Sequence, residues 1–218
     1  MRSQLEVSDD PAGAAVRLLA EASGQVCVTG GSTPRAAYER VAAERDDWSG
    51  VHFWFTDERC VPPDHEFSNF RMANQALLSQ ARGATVHRMK GELGPHDGAA
   101  DYEREFEEAG EPVFDLILLG LGPDGHTCSL FPGTDAVTER ERPVVGVETP
   151  GMAPLVSRIT LTLPVVNAAG RIVFLVTGED KADAAARAFS DHADPAVPAS
   201  LVDGDVTVLL DPAAARRL

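Results

Sequence analysis

One stretch of the chain concentrates residues able to do acid–base chemistry. In FDLILLGLGPDGHTCSLFPGT, Phe114 to Thr134, an apolar run ends in Gly120, Gly122 and Gly125, and the turn between them presents Asp124 and His126. Histidine takes and gives a proton near neutral pH, and a loop at a strand end is where such a group is held open to a substrate. A carboxylate nearby would fix its tautomer, and Asp124 is one candidate for that partner. A lone histidine is more often structural; the Gly-rich strand end is what favours catalysis here. The glycines also spell GxGxxG, the dinucleotide fingerprint. That turn should feed a long helix, whereas Pro132 and Gly133 break the chain within eight residues of Gly125, so the fingerprint is rejected.

The other candidates are cations and anion cradles. A formal net charge of −15 opposes anionic ligands, so a phosphate site must be built locally from a few cations and backbone N–H groups. Arg59 follows Asp57 and Glu58 in TDERCVPPDHEFSN, and its planar fork suits phosphate or hydroxyl groups, although such a triplet also reads as a solvated loop. Arg158 opens RITLTLP, and Lys181 lies in TGEDKADAA, where it also reads as an exposed helix residue. GGSTP, Gly30 to Pro34, combines close backbone approach at Gly31 with capping by Ser32 or Thr33 and Pro34 in the first helical turn. It reads as an anion cradle or as an ordinary capped turn.

These residues need elements to hold them. Apolar or β-branched runs predict strands at Gln25–Thr29, Val51–Phe55, Phe114–Leu119, Pro143–Val147, Arg158–Leu163, Arg171–Thr177 and Asp205–Leu210. Three- and four-residue apolar spacing predicts helices at Pro11–Ala22, Pro34–Arg45, Asn69–Ala81, Asp97–Ala109 and Asp180–Phe189. The alternation predicts an α/β fold, one mainly parallel sheet with helices on both faces, formed by residues 1–218 as a single domain. In such sheets ligands bind beyond the carboxyl ends of the strands, where the candidate residues fall.

Composition excludes several classes. The charge, with no dense Lys/Arg run, disfavours nucleic acid and anionic membranes as partners. The longest apolar run is far short of a bilayer span, and Glu6, Asp9, Asp10 and Arg17 interrupt any signal-peptide core. Three dispersed cysteines and six histidines without paired spacing fit a reducing cytoplasm and no structural metal.

Taken in order, GGSTP, FTDERCVPPDHEFSN, FDLILLGLGPDGHTCSLFP, SRITLTLPVVNAA and VTGEDKADAA resemble the 6-phosphogluconolactonase family over about Val28 to Phe189. The resemblance implies a Rossmann-like fold shared with glucosamine-6-phosphate deaminases and isomerases. It also implies hydrolysis of 6-phospho-D-glucono-1,5-lactone to 6-phosphogluconate in the cytosolic pentose phosphate pathway, with no metal or organic cofactor. It makes His126 the catalytic histidine and Asp124 the carboxylate of its DGH motif, and sets Asp57 on an aspartate shared with the deaminases. Arg59, Arg158 and Lys181 become substrate-facing cations, and Gly31, Ser32 and Thr33 line the site. Two departures follow. The family's usual Ala is Cys128 here, and the glutamate that deaminases carry five residues after the histidine is Phe131, which cannot relay a proton.

The expected mechanism has His126 as general base on a water attacking the lactone carbonyl. Ser129 is set aside as a nucleophile because no elbow motif surrounds it. The rivals are an amino-sugar phosphate deaminase or isomerase and a non-catalytic sugar-phosphate sensor, the latter lacking a basic helical module.

Overall fold

A computed structural model describes residues 3–218. The chain runs through β1 (Gln4–Val7), α1 (Pro11–Glu21), β2 (Gly24–Val28), α2 (Ser32–Glu44), β3 (Val51–Phe55), β4 (Asp57–Arg59), α3 (Asn69–Ala73), β5 (Thr85–Val86) and α4 (Pro95–Glu108). It continues through β6 (Leu116–Gly120), β7 (Val144–Val147), β8 (Arg158–Leu161), α5 (Leu163–Asn167), β9 (Ile172–Val176), α6 (Ala182–Ala188) and β10 (Val206–Leu210).

Seven strands form a wholly parallel sheet in the order β1-β10-β9-β6-β2-β3-β5. Every residue of β9 and β10 is buried, so both faces of the sheet are covered, as near-continuous apolar strands require. From β2 the chain steps to β3 on one side and later returns to β6 on the other, so a topological switch point lies between β2 and β6.

Two of the expected strands lie outside the parallel sheet. Pro143–Val147 and Arg158–Leu163 do not join the parallel layer; β7 and β8 pair antiparallel with each other, and β8 pairs antiparallel with β4. The register sets Arg59 opposite Arg158 and Asp57 opposite Thr160. The DER triplet is therefore a strand and not a loop, which its charges concealed. β1 and β5 were also not anticipated: one is exposed throughout and the other is two residues long, so neither carries an apolar pattern.

The expected helix Asn69–Ala81 is divided. α3 starts at the Ser68 cap, whose Oγ accepts from Arg71 N at 3.0 Å, and after Ala73 the backbone widens into a π-turn over Asn74–Leu78. Helix α4 packs on β7 and β8, while its Tyr102 and Phe106 meet the ring of Trp54 on β3. Buried side chains from both sheets belong to one apolar cluster, in which Trp48, Trp54, Tyr38 and Tyr102 are fully enclosed. Trp54 Nε1 donates to Gln25 Oε1, and the Tyr102 hydroxyl accepts from Phe55 N and donates to His87 O, so these large rings bury no idle polar group. No helix among the described residues is long and apolar enough to cross a membrane.

Candidate active site

The carboxyl ends of β2, β3, β6 and β9 open onto one cleft of about 300 Å³ at the switch point. It is lined by Gly31, Ser32, Thr33, Asp57, Arg59, His126, Arg158 and Lys181, so eight of the nine residues singled out in the sequence meet there. The ninth, Asp124, stands behind the histidine.

After β6 the backbone folds back tightly: Gly125 N donates to Gly122 O at 3.0 Å, and Gly122 N to His126 O at 2.8 Å. Gly125 supplies a φ of 93°, which few other residues adopt. Gly122 has a steric role, because a Cβ there would lie 2.0 Å from His126 Nδ1. The turn brings Asp124 Oδ1 to 2.5 Å from His126 Nδ1 and 3.1 Å from His126 N. Burial raises the Asp124 carboxyl, but the hydrogen bonds from the His126 side chain and backbone and the His126 charge more than offset it, leaving it below the usual carboxylate range. An ionised Asp124 accepts from Nδ1–H, so the Nε2 lone pair of a neutral His126 is left for the cleft. Phe131, fully buried, packs on the imidazole with ring centroids 4.5 Å apart.

Asp57 forms part of the floor, 6% exposed. Its Oδ2 accepts from Ser129 Oγ at 2.6 Å, and its Oδ1 from Thr56 Oγ1 at 3.1 Å and Asn69 Nδ2 at 3.3 Å. Ser129 is fully buried, with its hydroxyl donating to that carboxylate. Asn69 lines the cleft and was missed in the sequence, where Ser-Asn reads only as a helix start. Gly30 makes its place: a Cβ at that position would lie 2.1 Å from Asn69 Oδ1.

The two arginines are held differently. Arg59 Nη1 donates to Phe67 O at 2.7 Å, and its buried Nε has no partner. Arg158, only 3% exposed, donates from Nε to Val156 O and from Nη2 to Pro154 O. Burial and then the neighbouring Arg59 charge lower the Arg158 guanidinium from its ordinary value. Backbone oxygens thus hold both groups, and their charges meet no carboxylate contact among the described residues. On Arg158 the protein occupies both Nε and Nη2, whereas on Arg59 the buried Nε is left without a partner. Across the cleft, helix α2 begins at Gly31, with φ 116° and no side chain capping its first turn. Thr33 Oγ1 lies 2.6 Å from Thr177 Oγ1, and Lys181 follows one turn beyond β9. Thr177 was not foreseen, since it only closed an apolar run.

Cys128 borders the cleft with a left-handed φ of 52°, and burial, then the Asp57 charge, push its thiol up. No cluster of His, Cys, Asp or Glu among the described residues forms a metal site.

A cleft lined by a carboxylate-paired histidine, two arginines and an uncapped helix start, at the switch point of a parallel sheet, marks an α/β protein with a site suited to a small anion. Residues 7–210 match the model of the glucosamine-6-phosphate isomerases/6-phosphogluconolactonase family, and the chain belongs to that family. It is 41% identical to a Synechocystis 6-phosphogluconolactonase, over 89% of this chain and 85% of the relative. It is 42% identical to the human 6-phosphogluconolactonase, over 75% and 67% respectively. The solved structure of the Trypanosoma cruzi 6-phosphogluconolactonase superposes with a TM-score of 0.85 at 29% identity, covering 100% of this chain and 97% of that one. A monomeric glucosamine-6-phosphate deaminase shares the fold, with a TM-score of 0.81 at 19% identity.

Proposed function

We propose that this chain hydrolyses 6-phospho-D-glucono-1,5-lactone to 6-phospho-D-gluconate as a step of the pentose phosphate pathway in the cytoplasm, residues 1–218 acting as one domain. The observation that carries the reading is the His126–Asp124 pair at 2.5 Å beside a cleft whose two arginines make no ion pair with a carboxylate, in a chain whose relatives bear that activity in their names.

In this scheme His126 Nε2 takes a proton from a water as the water oxygen bonds to C1. The tetrahedral oxyanion then re-forms the carbonyl as the C1–ring-oxygen bond breaks, and the imidazolium returns its proton to that ring oxygen. Asp124 holds the tautomer and stabilises the imidazolium. The Arg59 fork, the first N–H groups of α2 and Lys181 grip the phosphate, with Arg158 adding its charge from beneath. Asp57 accepts from sugar hydroxyls. Binding the remote phosphate orients the lactone carbonyl toward the water. Deamination is disfavoured because position 131, five residues after the histidine, carries a phenylalanine ring packed on the imidazole and not the glutamate of the deaminases.

The test is hydrolysis of freshly prepared lactone, corrected for the spontaneous rate, by wild type and a folded His126→Ala variant. Turnover lost in the variant supports the assignment. Equal rates remove His126 from the chemistry, and a wild-type rate at background refutes the activity.

A further inference from the structure

We propose that Glu58 is the positioning residue that decides which edge of Arg59 faces the cleft. The inference rests on the reading of Arg59 as a phosphate grip and names what aims it.

Glu58 is 2% exposed, and nothing in the chemistry above uses it. Its carboxylate accepts from four donors: Oε1 from Arg59 N and Asn69 N, both at 2.7 Å, and Oε2 from Ser68 Oγ at 2.9 Å and Phe70 N at 2.8 Å. Three of the four belong to the start of α3, so one side chain on β4 clasps the far end of the Cys60–Phe67 loop. That closure sets Phe67 O where Arg59 Nη1 reaches it, at 2.7 Å. With Nη1 engaged there, the guanidinium is tied on one side, and its Nη2 and its buried Nε are the donors that no described residue takes. The Arg59 backbone is pressed from the other side as well: a Cβ on Gly91 would lie 2.2 Å from Arg59 O.

The clasp needs an ion. A glutamine at this position presents an NH₂ to one pair of donors. The Ser68 hydroxyl can rotate away, but a backbone N–H cannot, so at least one amide is left facing a donor. The loop then loosens, Phe67 O moves off, and the Arg59 fork loses its aim while His126, on another loop, is untouched.

A double-mutant cycle read in binding tests this. The dissociation constant for the product 6-phosphogluconate is measured by calorimetry on the full chain for wild type, Glu58→Gln, Arg59→Ala and the double variant, with kcat and KM for the lactone alongside. Expected are a loss of affinity on the order of 10-fold or more in Arg59→Ala, a comparable loss in Glu58→Gln with kcat little changed, and a double variant no weaker than Arg59→Ala alone. Losses that multiply in the double variant would overturn the inference, because Glu58 would then act apart from Arg59. Unchanged affinity in Arg59→Ala would instead remove the phosphate-grip reading, and this inference with it. If Glu58→Gln does not melt cooperatively, Ser68→Ala replaces it in the cycle: it deletes one of the four donors, and its smaller loss must vanish in the Arg59→Ala background. Because binding is the readout, the cycle stands even if wild type fails to turn over the lactone.

Discussion

Replacing Gly122 with alanine separates a glycine needed for backbone freedom from one needed to leave room. Gly122 has no left-handed φ, so alanine meets no backbone strain there. Its Cβ, however, would stand 2.0 Å from His126 Nδ1, 2.2 Å from Cε1 and 2.8 Å from Asp124 Oδ1. Ordinary contact begins near 3.4 Å, so the imidazole must withdraw by about 1.4 Å, or Asp124 and its turn must move with it. A displacement of about 1 Å in a reacting group costs on the order of 100-fold in rate, and overpacking a tight turn costs about 1–3 kcal/mol of stability. Gly120 supplies the control from the same motif, since nothing lies within 4 Å of its added Cβ and its φ is also unexceptional. Expected is a kcat for Gly122→Ala reduced roughly 100-fold at near-normal KM, because the phosphate contacts lie on other loops, with Gly120→Ala close to wild type. Lactone hydrolysis corrected for the spontaneous rate, with thermal melts to confirm folding, provides the assay. Wild-type kcat in Gly122→Ala would refute the placement of His126, and equal losses in both variants would show that the motif serves something other than the histidine.

Three further outcomes are expected. Asp124 is held below its ordinary range in the folded protein, so its contribution to stability is complete above the unfolded value of about 3.9 and is lost as pH falls through the lower folded one. Unfolding free energies of wild type and Asp124→Asn should therefore converge as pH falls from about 4 toward 2, and a difference that grows over that range would contradict the pairing. The Cys128 thiol stays protonated at neutral pH, so iodoacetamide should leave it unlabelled in the native protein, and Cys128→Ala should keep wild-type kcat at a stability cost of about 1 kcal/mol. Rapid labelling with loss of activity would overturn this. Tyr102→Phe leaves the buried Phe55 N–H without its acceptor, and denaturant melts should show about 1–3 kcal/mol lost with kcat unchanged.

What the sequence determined is what local pattern can encode. The apolar runs over Val51–Phe55 and Arg171–Thr177 became β3 and β9, because a strand buried on both faces leaves few other places for such residues. The glycines around Asp124 and His126 marked the turn that carries the histidine, because a tight return of the backbone needs their freedom and their missing side chains. The gathering of GGSTP, DGH and Lys181 beyond the strand ends followed from the rule that loops after parallel strands converge, whereas DER and Arg158 reach the cleft from β4 and β8 of the second sheet.

Only the tertiary structure decided what each charge does. Asp57, Glu58 and Arg59 read as a carboxylate and a guanidinium brought to one cleft or as a solvated loop of mutually paired charges. In the fold, Asp57 is fastened by Ser129, Thr56 and Asn69, Glu58 clasps α3, and Arg59 alone keeps a side-chain nitrogen without a partner. Arg158 read as a second clamp, yet its fork holds the carbonyls of Pro154 and Val156. The physical reason is that a buried polar group takes its role from the partners that satisfy it, and those partners stand up to 72 residues away, as Ser129 does from Asp57. Residue type and spacing show which chemistry is available along the chain, whereas closure of the core assigns each hydrogen bond and so leaves a particular donor free.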